Sequence, residues 1–275
     1  MIKIYFLRFL SNKLALTGFF IIAILLLIGI LSPILSPYDP FEQDVIHRLA
    51  PPSNEHILGT DDLGRDVLSR MIYGTRISLS VGVVAVSIII VIGSVLGLLA
   101  GFFGKFIDTI IMRAVDIMLC FPVFFLILMV IAFLGPSIFN VMFVIGITGW
   151  PGLTRMVRGE TLSIRERDYI SAAKMLGLSN IRILFVHILP NVVAPILVAA
   201  TLGVGGAILT ESGLSFLGLG VQPPNPSWGN MLTSGKDYIH IAWWLTLFPG
   251  SAIFITVLAF NLLGEGLRDV LDPRE

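Results

Sequence analysis

The chain has 275 residues, 18 Lys and Arg against 18 Asp and Glu for zero formal net charge, and 56% hydrophobic but only 13% charged residues. That apolar surplus is more than a water-soluble single domain can bury, and so few cations exclude a nucleic-acid binder that works by neutralising phosphates. One cysteine, Cys120, excludes an intrachain disulfide framework and a cysteine-built metal cluster, which leaves an integral membrane protein.

Charge-free runs mark the crossings, since a helix needs about 20 apolar residues to traverse the hydrocarbon core. Residues 1–14 are a basic lead carrying Lys3, Arg8 and Lys13. The run 15–35 is the first predicted span. It is too long for the apolar region of a signal peptide, no A-x-A site follows, and Pro33 and Pro37 close it. The external segment 36–76 comes next. Within it Thr60 reads as the cap of a helix running to Ile72, with Asp61 and Asp62 at the positive end of the dipole and Leu63, Val67, Leu68, Met71 and Ile72 on one face. That helix is either an interfacial elbow into the second span or part of a substrate gate.

The second predicted span, 77–103, carries Gly93, Gly97 and Gly101 at four-residue spacing, a stripe for close packing within the chain or against a partner helix. The third and fourth, 115–134 and 138–156, are separated at Gly135-Pro136-Ser137. Asp116, three residues after Arg113, is expected to pair with it. The cytoplasmic segment 157–190 is the most informative. A charged link, Arg158 to Arg167, leads to Asp168, which reads as the cap of a short helix from Tyr169 to Leu176 that Gly177 stops. Tyr169, Ala172, Ala173 and Leu176 form one face, thin enough at its alanines for another protein's groove to close around it. Ser179 then reads as the cap of a second helix ending at Leu189, with Pro190 opening the approach to the fifth span, 191–212. Near that span's outer end stands Glu211, a pathway candidate because acids at membrane depth are rare, although shallow water access would also explain it. The external loop 213–242 holds Gln222-Pro223-Pro224-Asn225-Pro226, which no lipid-exposed helix could contain. Its Trp228 is either part of a structured lid or an interfacial aromatic. The sixth span is 243–263, and Pro122, Pro195 and Pro249 predict kinks.

Lys and Arg set the orientation. With the N-terminus inside, the cytoplasmic side holds Lys3, Arg8, Lys13, Lys105, Arg113, Arg155, Arg158, Arg165, Arg167, Lys174, Arg182, Arg268 and Arg274, against Arg48, Arg65, Arg70, Arg76 and Lys236 outside. Both termini are therefore expected in the cytoplasm. No enzyme signature emerges. The nearest approach to a phosphate-cradling G-x-x-x-x-G-K-[ST] loop ends at Gly104-Lys105, but position 99 is Leu and position 106 is Phe. There is no H-E-x-x-H, C-x-x-C or G-x-S-x-G, and His47, His56, His187 and His240 are scattered, so neither a metal site nor a catalytic role is expected.

Ser171-Ala172-Ala173-Lys174-Met175-Leu176-Gly177 followed by Ile188-Leu189-Pro190 resembles the cytoplasmic E-A-A-x-x-x-G…I-x-L-P loop of bacterial ABC-importer permeases. Three further stretches resemble the dipeptide/oligopeptide/nickel branch, C-type subunit. They are Leu58-Gly59-Thr60-Asp61-Asp62-Leu63-Gly64-Arg65-Asp66, then Ser215 to Val221 with Pro224 and Trp228-Gly229, then Asn261 to Asp269 with Leu271-Asp272-Pro273-Arg274. Ser171 stands where the pattern carries Glu, with Asp168 one turn earlier as the acid nearest to replace it, and His187 stands where Ile is usual. The resemblance implies an all-α fold of six transmembrane helices, the MetI-like permease fold of type I ABC importers. It implies a multi-pass protein of the prokaryotic inner membrane without catalytic residues or cofactor of its own. It further implies a second homologous permease, two cytoplasmic ATPases that bind ATP-Mg, and an external substrate-binding protein. The coupling residues would be Asp168, Tyr169, Ser171, Ala172, Ala173, Leu176 and Gly177. Short peptides are the implied cargo, with nickel or another small solute as the alternative. A stand-alone secondary transporter would show an inverted internal repeat, and none is visible.

Overall fold

The computed structural model describes residues 2–271, with side chains from Leu7 onward; Asp272, Pro273 and Arg274 of the C-terminal motif lie outside the described residues. Among the described residues the chain is helical, and one isolated antiparallel bridge, Thr60 to Asp66, is its only β-type pairing.

Helix α1 (Ile2–Ser11) hands over at Asn12, whose side chain accepts the Ala15 N–H at 3.0 Å and so caps α2 (Lys13–Ile30). A four-residue helix, α3 (Ser32–Leu35), ends this arm with Pro33 in its first turn, where a missing N–H costs nothing. Helix α4 (Val67–Phe103) is 37 residues long. It begins at Val67, so the helix expected from Thr60 is a loop instead. The Asp66 carboxylate takes the capping role, accepting the Ser69 N–H and the Ser69 hydroxyl, both at 2.7 Å. Thr60 Oγ1 accepts the Ala50 N–H and donates to the His47 carbonyl. Asp61 accepts the N–H groups of Leu63 and Arg65, closing a tight turn in which Gly64 takes the left-handed φ of 75°. A Cβ at Gly64 would lie 1.7 Å from the Asp44 carbonyl oxygen, which no side chain could relieve.

The span expected over 115–134 is two helices, α5 (Lys105–Leu119) and α6 (Val123–Leu134), meeting at 85°. Pro122 caps α6 at the break, where its ring disfavours the helical conformation in the residue before it. Asp116 does not pair with Arg113; its carboxylate takes the guanidinium of Arg155 on α7 (Ile138–Arg165), and Asp108 takes Arg158 through both oxygens. Helix α7 continues nine residues past the expected end at 156, with Pro151 inside it. The short α8 (Asp168–Met175) follows. Then α9 (Asn180–Arg182), a π-helical stretch (Ile183–Ile188) and α10 (Leu189–Phe216) run as one 37-residue unit, so no break occurs at Pro190. After α11 (Trp228–Lys236), α12 (Trp244–Leu271) completes the chain.

Helices α2, α4, the α9–α10 unit and α12 are long and apolar enough to cross a membrane, and the bent α5–α6 pair would be a fifth crossing. A central apolar cluster joins α2, α4, α6, α7, α10 and α12 through side chains such as Ile22, Val81, Ile131, Val144, Ile208 and Phe260. A smaller cluster at the N-terminal end of α4 unites Val67, Met231, Ala242, Trp244 and Leu245.

Candidate coupling site

The third cluster lies under α8. It gathers Leu98 and Phe102 of α4, Leu153, Val157 and Ile164 of α7, Ile170 and Ala173 of α8, Ile183, Leu184 and Ile188 of the π-helical stretch, and Val192 and Ile196 of α10. Ile170 and Ala173 sit one turn apart, so both point into it, 0% and 5% exposed. This changes the face expected from the sequence. Ala173 packs inside its own chain, and the outward side is Asp168, Tyr169, Ser171, Ala172, Met175 and Leu176, with Leu176 81% exposed. The turn of 3.6 residues decides between the two alanines, because burying the large Ile170 carries Ala173 inward and leaves Ala172 outward. Sequence reasoning passed over Ile170; its signal was a β-branched residue at i, i+3 to an alanine.

Asp168 opens α8 as its first helical residue, but the cap position belongs to Arg167, and no side chain bonds the free N–H groups there. The other end closes as Gly177 was expected to close it. The Gly177 N–H donates to the Lys174 carbonyl at 3.0 Å and the Leu178 N–H to the Ala173 carbonyl at 3.2 Å, with Gly177 at φ 76°. That pair of bonds is the Schellman stop, and it needs the left-handed conformation.

Cations fasten this end of the molecule. Arg165 Nη1 donates to the carbonyls of Gly101 and Phe102 at 3.0 and 3.3 Å, satisfying orphan groups at the C-terminus of α4. The Lys174 ammonium lies 5.5 Å from the centre of the Phe102 ring. The Asp108–Arg158 and Asp116–Arg155 pairs bind α5 to α7; with partners 50 and 39 positions apart, no local spacing could have announced them.

The glycine stripe packs within the chain. A Cβ at Gly93 would lie 2.8 Å from Leu153 Cδ2, at Gly97 2.6 Å from Val157 Cβ and at Gly101 2.6 Å from Thr161 Cβ, so α4 and α7 touch where these side chains are missing. Glu211 is not at a watery surface; it is 0% exposed. Its Oε1 accepts hydrogen bonds from the Ser215 hydroxyl at 2.6 Å and the Ser227 hydroxyl at 2.9 Å. Ser227 also caps α11, so Glu211 ties α11 to α10. Trp228 is 1% exposed, its indole N–H donating to the Met71 carbonyl at 3.3 Å, which removes it from any interfacial belt.

Residues 93–275 match the model of the binding-protein-dependent transport system inner membrane component family, and residues 1–52 match the N-terminal transmembrane domain of oligopeptide transport permease C. The chain belongs to this permease family. It is a non-catalytic, multi-pass protein of the cytoplasmic membrane. It is 48% identical to the dipeptide transport system permease protein DppC of Alkalihalophilus pseudofirmus, over 96% of this chain and 87% of that protein. Against the di/tripeptide permease protein DppC of Pseudomonas aeruginosa it is 44% identical, over 99% of this chain and 92% of that protein. A chain of the MetNI methionine ABC transporter, solved in inward-facing conformations, superposes with a TM-score of 0.61 at 19% identity, covering 74% of this chain and 97% of its own, and so shares the fold.

Proposed function

We propose that this chain is the permease subunit of an ATP-driven importer of short peptides, di- or oligopeptides, and that α8 is where ATPase motion enters it. The names of its relatives support the peptide cargo. The carrying observation for the mechanism is the division of α8 into an outward face and a face held by its own chain. An ATPase gripping Tyr169, Ala172 and Leu176 would move Ile170 and Ala173 with them. Those two share one close-packed cluster with side chains of α4, α7 and α10, and such interiors transmit displacement rather than absorb it. One push would therefore reach three long helices together.

In this reading a second homologous permease completes the pathway, and two cytoplasmic ATPases bind ATP-Mg and take one α8 each. An external binding protein delivers the peptide. The chain crosses the membrane six times, over 15–35, 77–103, 115–134, 138–156, 191–212 and 243–263, with both ends in the cytoplasm; α5 leads into the third crossing along the membrane surface, and α6 makes most of it. Proteoliposomes holding both permeases and both ATPases should take up a labelled dipeptide only with internal ATP and external loaded binding protein. Uptake without ATP, or by this chain alone, would contradict the proposal.

A further inference from the structure

At the end of the fold that the proposed orientation makes external, α2 and α4 part to leave a groove of about 450 Å³ lined by Leu26, Gly29 and Ile30 of α2 and Arg76, Leu79, Ser80, Val83 and Val84 of α4. The volume lies within the ~300–1,000 Å³ of small-molecule sites. Its walls are mostly apolar and its rim is open, with Ile30 72% and Val83 46% exposed above a floor that includes the buried Leu79. Both walls belong to helices long and apolar enough to cross a membrane, so the groove opens toward acyl chains. From Arg76 to Val84 it runs eight residues, roughly 12 Å of helix. That is close to one leaflet's share, about 15 Å, of the hydrocarbon core.

The mouth carries one cation, Arg76. Residues 36–76 and 213–242 contain five Lys and Arg residues. Arg65 and Arg70 pair with Asp61, Arg48 donates to the Tyr238 hydroxyl at 3.0 Å, and the Lys236 ammonium lies 5.4 Å from the Phe216 ring centre. Arg76 alone of the five has no ion pair, side-chain hydrogen bond or ring contact among the described residues. An unpaired guanidinium at the mouth of an apolar groove favours an anion, and its planar fork matches two oxygens of a phosphate. Gly29 lets the α2 backbone come close beneath it: a Cβ there would lie 3.4 Å from the Arg76 Cα.

We infer that this groove is a binding site for one anionic glycerophospholipid of the outer leaflet, its phosphate on Arg76 and an acyl chain along Leu26, Leu79 and Val83. The test uses the whole transporter complex, purified and offered dioleoylphosphatidylglycerol or dioleoylphosphatidylcholine, with retained lipid counted by native mass spectrometry. Wild type should prefer phosphatidylglycerol by about fivefold, the upper range for one exposed ion pair. Arg76→Gln should bring the two lipids near parity without loss of assembly. Val83→Trp should expel the lipid by filling the groove, and a photoreactive acyl analogue should mark Leu26, Leu79 or Val83 in wild type should that variant fail to assemble. Soluble glycerophosphate should not compete. An unchanged lipid preference in Arg76→Gln, competition by glycerophosphate, or cross-linking of position 83 to the partner permease in place of lipid would overturn the assignment.

Discussion

Adjacent alanines in α8 face opposite surroundings, and the same substitution should separate them. Ala172→Arg leaves the long side chain in water, so the chain should reach the membrane at wild-type abundance while the ATPase is lost from the purified complex and uptake falls steeply. Ala173→Arg drives a charge into the cluster around Ile170 and Ile183, where overpacking costs about 1–3 kcal/mol and an unpaired charge several more. That variant should lose abundance and become protease-sensitive near residue 170 before any coupling is measured. Equal behaviour of the two in pulldown and limited proteolysis would refute the division of faces. Gly177 offers a gentler probe. Nothing lies within 4 Å of a Cβ there, so Gly177→Val carries only the left-handed backbone cost, about 1–2 kcal/mol, and Gly177→Asn less. The ATPase should stay bound in Gly177→Val with its hydrolysis no longer raised by loaded binding protein, whereas Gly177→Asn should stay near wild type. The stop at Gly177 was legible from one residue type at a helix end. The inward turn of Ala173 was not, because helix phase depends on what lies beneath, and that surface comes from residues as distant as Leu98 and Ile196.

Among the helices, the contact of α4 with α7 is sensitive to a small change. Gly97→Leu would press a branched side chain onto Val157 and the Thr154 carbonyl, which a Cβ alone would meet at 2.6 and 2.8 Å. Overpacking of that kind should cost roughly 3 kcal/mol or more and cut the yield of folded chain in mild detergent. Gly159→Ala, on α7 with nothing within 4 Å, is the matched control and should raise the melting temperature slightly, since alanine is preferred over glycine in a helix by about 0.5–1 kcal/mol. Comparable losses in both, measured by fluorescence-detected size exclusion, would mean that the stripe is not the contact that matters. Four-residue spacing made these glycines visible in the sequence. Helix ends were harder to place. The Thr60 signal gave way to Asp66 because loop 60–66 uses its polar groups to close on Ala50 and His47, a choice made by segments ten or more residues away. Pro122 was foreseen as a kink and acts as a full break of 85°.

At the scale of the molecule, the six-crossing arrangement predicts accessibility. In a background where exposed Cys120 is replaced by Ala, cysteines at Asn54 and Asn225 should react with an impermeant maleimide on intact cells, and one at Lys174 only after lysis. Reaction at position 174 from outside would end that arrangement. Composition made the membrane class plain from the start. The long-range ties did not show in any window of sequence: Asp108 to Arg158, Glu211 to Ser227, and the Trp228 indole to Met71, 157 residues away. The length of α4 has its own consequence. Its 37 residues make a rod of roughly 55 Å, well beyond the ~30 Å hydrocarbon core, with a close crossing against α7 near its C-terminal end, at Gly97. Taken as a fulcrum, that crossing leaves about 9 Å of rod on its C-terminal side and about 45 Å on its N-terminal side. A tilt of about 5° would shift the Phe103 tip by less than about 1 Å and the Val67 tip by about 4 Å. With the pivot there, a slight nudge near Phe102 would become a wide swing of Val67 and the loops anchored around it.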